Sequence, residues 1–472
     1  MSDTLTFGTD GWRDVIADKY TFANLARAAQ AYAEYLLEQE QAKVLVGYDT
    51  RFNSELFARH TAEVLAANGL DVLVAETYLP TPALSFAVKH LGAGGGVMLT
   101  ASHNPPQYHG FKLKGAYGGT ATSDIYGAVG ARVNSVTPAE VRVFDKTKHE
   151  VATFDIRSAY YDALRDLVDL EALQKVQGEV VHEAMGGSGT GWFTGFLEHV
   201  GLQLDASDLH SSPDPLFYGV NPEPIAANLG AASEYMQGVS EGILIATDGD
   251  ADRLGVVLPG GAFFNSHQIF AVLVDRLAHK GETGSVVKTF TVSRVVERLA
   301  QARGLSVEET PVGFKYIVDG MLRGDVMIGG EESGGIGVTK HLPERDGIAN
   351  GLLLLEAMAT SGKSLAALFS EIEEEVDWHH AYDRLDLHLD GNELKDAVMQ
   401  ALDAPPKTLG ERTVESVERF DGVKLNLSGK AWLMFRPSGT EPVLRIYCEA
   451  QGEDEVEGLL EAARGYVEAA KE

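Results

Sequence analysis

The sequence predicts an α/β fold in which three consecutive α/β domains precede a smaller α+β domain. Three observations support this: helix and strand patterns alternate along most of the chain, the same order of elements recurs twice after the first third, and the alternation stops near residue 377. A chain of 472 residues, of which 44% are hydrophobic and 23% charged, is long enough and apolar enough for several packed domains.

The first third shows the alternation most clearly. Apolar residues at helical spacing predict a first helix, through Leu25, Ala28, Tyr32 and Leu36. Short apolar runs predict buried strands at residues 44–46, 72–74 and 97–99. A second helix is predicted from Ser54 to Ala67, before Gly69, and a third begins at Thr81, a capping residue in front of a proline. Such alternation is typical of a layered α/β domain with its sheet between helices.

The same pattern predicts the later domains. Further strands are expected near Val180 and over residues 242–246 and 326–328, with helices near Phe193, after Pro224, and over 269–279 and 293–303. The acidic run 371–377 follows a helix and is typical of a linker, after which the α/β pattern is lost. We therefore expect domains at residues 1–151, 152–258, 259–377 and 378–472.

Charge and composition narrow the possible functions. The net charge of −30 argues against nucleic acid or an anionic membrane as a partner, since either would favour a basic face. No stretch reaches the ~18 apolar residues of a membrane span, and the acidic start lacks an apolar signal region, so we expect a cytoplasmic protein. The single cysteine, Cys448, lies in an apolar, strand-like stretch and is expected to be a buried structural thiol.

Three of the predicted strands run directly into polar, glycine-rich loops, at residues 100–104, 247–250 and 330–333. In α/β sheets, binding sites form at the carboxyl ends of strands. These three loops are therefore the expected places for chemistry.

The second loop has the pattern of a metal site. Asp248, Asp250 and Asp252 occupy alternate positions, and in an extended loop that spacing points three oxygen ligands the same way, as suits Mg²⁺ or Ca²⁺. An EF-hand is excluded, because Arg253 and Pro259 stand where glycine and glutamate are needed. A turn of solvated aspartates is the alternative. We favour a metal, because three close carboxylates repel one another unless a cation neutralises them.

The first loop places Ser102 between a strand and two prolines, where a serine is commonly a turn or cap residue. Three glycines at 94–96 precede it, and His103 and Lys112 follow within a short distance. A serine near a base and a lysine can accept and donate a phosphoryl group. We expect Ser102 to be an exposed loop residue that accepts and donates a phosphoryl group.

The third loop holds Glu331 and Ser333 among four glycines. One interpretation is a hydrogen-bonding clamp on vicinal sugar hydroxyls, and the other is a flexible turn. The loop by itself does not decide between them.

A fourth polar segment lies near the C-terminal end. Arg436 is followed by two hydroxyls, Ser438 and Thr440, around Gly439, which leaves backbone N–H groups accessible. These are the groups of a phosphate cradle, which Arg445 could complete. A simple surface turn is the alternative.

Together these segments resemble the α-D-phosphohexomutase superfamily, which includes phosphoglucomutases and phosphomannomutases. The resemblance covers nearly the whole chain, in the family's order, and rests on residues 7–13 (Phe-Gly-Thr-Asp-Gly-Trp-Arg), 100–106, 248–253, 330–335 and 436–442. Residues 310–315 and 343–347 are similar to further segments that line the cleft in this family. Several such motifs in sequence are far more specific than any one of them.

The resemblance implies that the four domains surround one central cleft, that the enzyme uses Mg²⁺, and that a hexose 1,6-bisphosphate is activator and intermediate. It implies catalytic roles for Ser102, as the phosphorylated residue, and for Arg13, His103 and Lys112. It implies metal ligation by Ser102, Asp248, Asp250 and Asp252. It implies substrate binding by Arg253, Gly313, Lys315, Glu331, Ser333 and Arg345. It implies phosphate binding by Arg436, Ser438, Gly439, Thr440 and Arg445.

Two positions depart from the family pattern. His109 stands where many members have asparagine before Gly-Phe-Lys. The sugar loop ends in Gly335, where mannose- and glucosamine-acting members often have histidine, so the loop is nearer to the glucomutase type.

The resemblance implies a mutase that interconverts hexose 1-phosphate and hexose 6-phosphate, with glucose preferred. Phosphomannomutase or phosphoglucosamine mutase activity is the alternative. A non-catalytic sugar-phosphate sensor on the same fold and a phosphatase-like hydrolase are the alternatives from other classes; loss of Ser102 or of one loop aspartate would favour the sensor, and none is lost. The expected partner is a small phosphosugar, bound by a monomer or homodimer.

Overall fold

The computed structural model describes residues 4–8, 10–389, 391–437 and 443–469.

The first sheet contains β1 (Trp12–Val15), β2 (Lys43–Tyr48), β3 (Asp71–Ala75), β4 (Gly95–Leu99), β5 (Tyr108–Gly115), β6 (Gly119–Thr120) and β7 (Ala152–Phe154). Their order is β1-β5-β4-β2-β3-β7, with β6 on β5. β4, β2, β3 and β7 are parallel, whereas β5 pairs antiparallel with its neighbours. The helices are α1 (Phe22–Glu38), α2 (Ser54–Ala67), α3 (Thr81–His90) and α4 (Ser123–Val133).

The second sheet has the order β12-β11-β10-β8-β9. Its strands are β8 (Glu179–Glu183), β9 (Ala206–Leu209), β10 (Gly242–Thr247), β11 (Leu254–Val257) and β12 (Phe263–Phe264). The accompanying helices are α5 (Arg157–Leu167), α6 (Leu170–Leu173), α7 (Phe193–Val200) and α8 (Gly230–Gln237), with short 3-10 turns at Phe217–Gly219 and Ala226–Asn228. β10, β8 and β9 are parallel, and β11 and β12 return antiparallel.

The third sheet has the order β14-β13-β15-β16, of which only the β15–β16 pair is antiparallel. Its strands are β13 (Ser285–Thr289), β14 (Val307–Thr310), β15 (Val326–Gly330) and β16 (Ile336–Val338). The helices are α9 (Ser266–His279), α10 (Arg294–Ala302), α11 (Phe314–Arg323), α12 (Gly347–Ser361) and α13 (Leu365–Val376).

The fourth sheet is wholly antiparallel, in the order β17-β22-β21-β20-β19-β18. Its strands are β17 (Ala381–His388), β18 (Thr408–Leu409), β19 (Arg412–Glu418), β20 (Val423–Leu427), β21 (Ala431–Pro437) and β22 (Val443–Ala450). The helices are α14 (Asn392–Ala401) and α15 (Glu453–Ala469). The predicted fold class, three α/β units followed by a smaller α+β unit, is confirmed.

The buried cores separate the first three units from the fourth. Most buried apolar residues of the first three sheets and their helices form one large cluster, which runs from Leu5 to Trp378. Smaller clusters, which include Val181 of the second sheet and Val287 of the third, lie beside it. The fourth sheet has a separate cluster, which includes the buried thiol of Cys448, as expected. The first sheet includes β7 and the second includes β12. Both sheets therefore extend slightly beyond the domain boundaries expected at residues 151 and 258.

Two local expectations are wrong. The acidic run 371–377 is not a linker, because residues through Val376 continue α13; its apolar side is buried, with Phe369 and Ile372 in the core. Thr81 does not cap α3. Pro80 occupies the cap position, and no side chain there makes a capping hydrogen bond.

Among the described residues, no single helix is both long enough and apolar enough to cross a membrane. The bent pair α12 and α13 passes that test of length and composition only when the two helices are joined across a 79° break. Both helices contribute buried side chains to the core.

Candidate active site

The ends of β4 and β10 lie next to each other, although the two strands belong to different sheets. β4 leads to Ser102 and β10 to Asp248, and the Ser102 hydroxyl donates a hydrogen bond to Oδ2 of Asp248 at 2.8 Å. Ser102 is 0% exposed and has a left-handed backbone, with φ of +53°. The expectation of an exposed loop serine is therefore wrong: the side chain is buried against the aspartate loop, in a backbone region uncommon for residues other than glycine.

Arg51 fixes the loop that carries Ser102. It follows the end of β2, is only 3% exposed, and donates to the carbonyl oxygens of Ser102 and Asn104 at 2.6 Å each. The same guanidinium donates to the carbonyls of Pro105 and Tyr108 at 2.9 and 3.0 Å. One cation thus satisfies four carbonyls around the serine loop, and the buried carboxylate of Asp49 pairs with it at 3.2 Å.

The three loop aspartates converge, but through a turn rather than an extended loop. The N–H of Ala251 donates to the Asp248 carbonyl at 3.0 Å, and Ala251 has φ of +59°. Oδ1 of Asp248 accepts the N–H groups of Asp252 and Arg253 at 2.9 and 3.0 Å. The expected extended backbone is therefore wrong. The carboxylates nevertheless meet, since one oxygen each from Asp248, Asp250 and Asp252 lies within 4.8 Å of the others.

The chemistry of this triad fits a divalent cation. All three side chains are fully buried, and among the described residues Oδ1 of Asp250 and Oδ1 of Asp252 have no hydrogen-bond partner. Burial, followed by the charges of Asp250 and Asp252, raises the pKa of Asp248 well above its ordinary value. A hard cation would satisfy both orphaned oxygens and offset this repulsion, so these residues suit Mg²⁺.

Lys112, on β5, extends into the same group of carboxylates. Its Nζ lies 2.7 Å from Asp250 and 3.0 Å from Asp252. It also lies 3.0 Å from Asp10, which precedes β1. Burial lowers the pKa of Lys112, but the three carboxylates outweigh burial and raise it above its ordinary value. The side chain is therefore an ammonium group that can donate to an oxygen gaining negative charge.

His103 and Arg13 flank the Ser102 loop. Arg13 donates to Oδ1 of Asn104 at 2.8 Å and pairs with Asp10 at 3.2 Å. Nδ1 of His103 is buried and has no partner among the described residues. Burial, followed by the charges of Arg253 and Arg13, lowers the pKa of His103 well below its ordinary value. Its imidazole is therefore neutral, with one nitrogen uncommitted.

Glu344 anchors a segment of the third unit on the first. Its carboxylate accepts hydrogen bonds from Ser85 at 2.8 Å and Thr120 at 2.7 Å. It also accepts one from Lys114 at 2.5 Å, and both charged side chains are fully buried. These contacts fix the neighbouring residue, Arg345, at the aspartate centre.

Arg345 joins the aspartate centre to the sugar loop. Its Nη2 lies 2.9 Å from Asp10 and 2.8 Å from Asp252. Its Nη1 lies 3.3 Å from Glu331, and the ring of Phe314 lies 5.2 Å from the guanidinium carbon. Burial raises the pKa of Glu331 to about 7, although the charge of Arg345 opposes this. Glu331 is thus a buried carboxyl group held beside the candidate metal site.

The other predicted substrate residues lie in the turn after β15, at the start of α11 and directly after the aspartate loop. Ser333 is half-buried in the turn between β15 and β16, and Gly313, with φ of +138°, directly precedes α11. Arg253 pairs with Glu223 at 3.5 Å, and its backbone bridges to the sugar loop at residue 335. Lys315 lies in the first turn of α11, and none of the contacts described for it joins it to the aspartates.

Two arginines of the fourth sheet carry the predicted phosphate site. Arg436 and Arg445 lie directly opposite each other on β21 and β22. Nε of Arg436 donates to Asp421 at 2.9 Å, and Nε of Arg445 lies 4.0 Å from Asp386. The predicted phosphate ligands at residues 438–440 lie outside the described residues.

The two departures from the family pattern differ in their positions. His109 is fully buried, lies 2.7 Å from the Ser54 hydroxyl and stacks on Tyr20, so it is a core residue of the first unit. Gly335 lies at the site itself. A Cβ there would lie 2.5 Å from Cδ of Arg345, so the sugar loop has no room for a side chain at this position while Arg345 keeps its place.

Four contributors were missed by the sequence interpretation. Thr81 donates to Oδ2 of Asp250 at 2.6 Å. Asp10 links the cations of the centre, Arg51 holds the serine loop, and Glu344 anchors Arg345. Asp10 lies within a recognised motif, and Arg51 follows a strand end as the other loops do, so both carried a usable signal. Glu344 carried a similar signal, because it lies within the recognised segment 343–347. Thr81 had none, because its partner is distant in sequence.

Comparison with known proteins shows the class of the protein, which is a phosphohexomutase, an isomerase. All four phosphoglucomutase/phosphomannomutase domain families match the chain. Domains I, II and III, described as alpha/beta/alpha, match residues 4–140, 158–261 and 265–376, and the C-terminal domain matches residues 394–465. The chain therefore belongs to the phosphoglucomutase/phosphomannomutase family, as its resemblance to the superfamily implied.

Similar proteins span nearly the full length of the chain. A phosphoglucomutase/phosphomannomutase of Thermococcus kodakarensis is 30% identical over 96% of both chains. A Pyrococcus furiosus protein assigned as a phosphoglucosamine mutase is 31% identical over 99% of this chain and 98% of its own. A solved structure from Thermus thermophilus, assigned as a phosphomannomutase, is 46% identical, with a TM-score of 0.90 over 99% of this chain and 100% of its own.

Proposed function

We propose that the protein interconverts hexose 1-phosphate and hexose 6-phosphate by carrying a phosphoryl group on Ser102, through a hexose 1,6-bisphosphate. The observation that carries this proposal is the burial of the Ser102 hydroxyl at 2.8 Å from Asp248, within a centre of aspartates and cations. A buried serine in such a centre is suited to covalent phosphoryl transfer.

In the first transfer, the bond between phosphorus and the Ser102 oxygen breaks, and a bond from phosphorus to the free sugar hydroxyl forms. The proton of that hydroxyl needs an acceptor, and the uncommitted Nδ1 of His103 is the candidate. Lys112 donates to carboxylates in this structure and is the candidate hydrogen-bond donor to the serine oxygen as it leaves. The second transfer reverses these roles with the other phosphate.

Asp248, Asp250 and Asp252, with a phosphoryl oxygen on Ser102, would hold Mg²⁺, which when bound offsets negative charge on the transferring oxygens. The chain itself supplies further positive charge. Arg51 holds the serine loop by its carbonyls, and Lys112 lies at 2.7 Å from Asp250. These fixed cations need little reorganisation when the phosphoryl group moves, which is the condition for efficient electrostatic stabilisation.

Between the two transfers, the bisphosphate must turn around so that its other phosphate faces Ser102. Arg436 and Arg445, opposite each other on neighbouring strands, are suited to hold the phosphate that is not reacting. Glu331 would accept hydrogen bonds from ring hydroxyls, and Ser333 would donate to them, in either orientation of the sugar. The contact of Arg345 with Glu331 keeps that carboxyl group in place.

Glucose is the proposed preferred sugar, with mannose and glucosamine phosphates as the alternatives. The support is local: the sugar loop ends in Gly335, and a side chain at this position would collide with Arg345. The similar proteins include one assigned to mannose and one assigned to glucosamine, so the preference needs a direct comparison of the sugars.

The test of this function is to supply glucose 1-phosphate with Mg²⁺ and a trace of glucose 1,6-bisphosphate, and to measure both glucose 6-phosphate and free phosphate. The proposal predicts glucose 6-phosphate formation without stoichiometric phosphate release. Release of phosphate as the main product would identify a hydrolase. Tight binding of glucose 1-phosphate without any conversion would identify a sensor.

A further inference from the structure

A turn in the fourth unit connects the predicted phosphate arginine to the third unit. Asp421, between β19 and β20, accepts two hydrogen bonds at the same oxygen, Oδ2. The backbone N–H of Val312 donates at 2.8 Å, and Nε of Arg436 donates at 2.9 Å. Val312 belongs to the cleft segment 310–315, which no sequence signal connected with the fourth unit. One carboxylate therefore links the third unit to the fourth.

The turn that carries Asp421 has little freedom to move. Gly422 has φ of +121°, and a Cβ at this position would lie 2.5 Å from the carbonyl oxygen of Phe435, so glycine is required there. On the other side, the ring of Phe420 packs edge-on against Phe290 of the third unit, with 5.7 Å between ring centroids. The position of the Asp421 carboxylate is thus set by the backbone and by packing.

Both hydrogen-bond donors belong to parts of the proposed binding cleft. Val312 precedes Gly313, and the next residue, Phe314, lies 5.2 Å from the guanidinium carbon of Arg345. The Arg436 side chain is 14% exposed, and its contact through Nε sets the orientation of the guanidinium plane. A guanidinium binds phosphate best when its planar fork is already oriented.

We propose that Asp421 is a positioning residue, which orients Arg436 for the phosphate that is not reacting and ties that arginine to the cleft segment of the third unit. This inference rests on the proposed function, because it assigns Arg436 to phosphate. Asp421 acts through Arg436 and need not touch the substrate. Its role depends on Oδ2 as a hydrogen-bond acceptor, since both donors converge on that atom.

The first test is a double-mutant cycle on KM for glucose 1-phosphate, at saturating glucose 1,6-bisphosphate. Asp421→Ala should raise KM about tenfold and change kcat by less than about threefold, because the cradled phosphate is held equally in ground and transition states. In Arg436→Ala the further change Asp421→Ala should have almost no effect, because the residue acts through that arginine. If Asp421→Ala raised KM by the same factor with and without Arg436→Ala, the inference would be overturned.

The second test separates the hydrogen bonds from the charge. Asp421→Asn keeps an oxygen that can accept from both Val312 and Arg436, so its KM should stay within about threefold of the wild type. A KM as high as that of Asp421→Ala would overturn the inference. Asp403→Ala is the matched control, because it removes an exposed aspartate that pairs with Arg419 at 3.7 Å in the same unit, and it should leave KM unchanged.

Failure of the inference and failure of the proposed function give different results. A normal KM in Arg436→Ala would remove the phosphate role of that arginine, and with it both the proposed cradle and the role of Asp421. A raised KM in Arg436→Ala together with a normal KM in Asp421→Ala would overturn the positioning role alone.

Discussion

The hydroxyl of Ser102 donates to Oδ2 of Asp248 across 2.8 Å, although the two residues are 146 positions apart in the chain. This hydrogen bond joins the carboxyl ends of β4 and β10, which belong to different sheets. It therefore brings the proposed phosphoryl carrier and the candidate metal ligands into one site before any substrate binds.

Magnesium should stabilise the protein as well as activate it. Millimolar Mg²⁺ should raise the melting temperature by a few degrees, because a ligand that binds only the folded state adds stability with the logarithm of its concentration. Asp250→Asn should abolish this shift, since it removes a charged ligand from the triad. Differential scanning fluorimetry with and without EDTA is the measurement, and it does not depend on turnover.

Asp162→Asn is the matched control for the magnesium test, because Asp162 is a half-exposed aspartate on α5 with its own arginine partner. It should keep the full magnesium-dependent shift. If Asp250→Asn kept the same shift as the wild type, the aspartate loop would be a structural turn and the metal would bind elsewhere.

Arg436→Ala should weaken binding of monophosphate and bisphosphate alike. A hydrogen bond to a charged group contributes about 1.5 to 3 kcal/mol, so KM for glucose 1-phosphate should rise by about ten- to a hundredfold. Steady-state kinetics at several bisphosphate concentrations measure both effects. An unchanged KM would place the phosphate cradle elsewhere, with Arg445 and Arg13 as the next residues to replace.

Substrate binding should weaken as the pH falls through neutrality. Burial raises the pKa of Glu331 to about 7, so its carboxylate is mostly ionised at pH 8 and mostly protonated at pH 6. Only the ionised form accepts hydrogen bonds from sugar hydroxyls at both oxygens. KM for glucose 1-phosphate should therefore rise by up to about tenfold from pH 8 to pH 6, following the loss of the ionised form.

Glu331→Gln is the control for this pH dependence. It should give a raised KM that changes little between pH 6.5 and 8, a range above the second ionisation of a phosphate monoester near pH ~6. A wild-type KM that is constant from pH 8 to pH 6 would contradict the proposed role of the Glu331 carboxylate.

The sugar preference should be modest. We propose that Glu331 and Ser333 contact the hydroxyls at C3 and C4, which glucose and mannose share. A site without a buried group facing C2 should discriminate by only about 10- to 100-fold. We expect a higher kcat/KM for glucose 1-phosphate than for mannose 1-phosphate, each measured with its own 1,6-bisphosphate. A mannose preference would show that Gly335 does not guide specificity, and complete exclusion of mannose would show that another residue contacts C2.

Much of the fold could be predicted from local patterns. The helix from Ser54 to Ala67 and the strands around residues 44–46, 97–99 and 326–328 follow from apolar spacing, and the structure confirms them. The acidic charge of residues 371–377 led to the wrong prediction of a linker. An acidic run can continue a helix when its other face is apolar, as the burial of Ile372 and Val376 shows.

The site was less predictable, because its contacts are long-range. The spacing of Asp248, Asp250 and Asp252 indicated convergence, but the turn at Ala251 and the burial of Ser102 depend on packing between two sheets. The ring nitrogen of His380 likewise lies 3.0 Å from the buried carboxylate of Glu449, a contact that the sequence around His380 does not indicate. A local pattern contains no information about a partner so distant in sequence.

The measurement that most directly tests the central claim is the site of phosphorylation after incubation with glucose 1,6-bisphosphate. Intact-mass analysis and peptide mapping should find one phosphoryl group per chain, on Ser102. Ser102→Ala should remain unlabelled and lose at least about a thousandfold in turnover. Its free energy of unfolding should fall by no more than about 3 kcal/mol, because one hydrogen bond to a buried carboxyl group is lost. Phosphate on a different residue, or near-normal turnover by Ser102→Ala, would contradict the account.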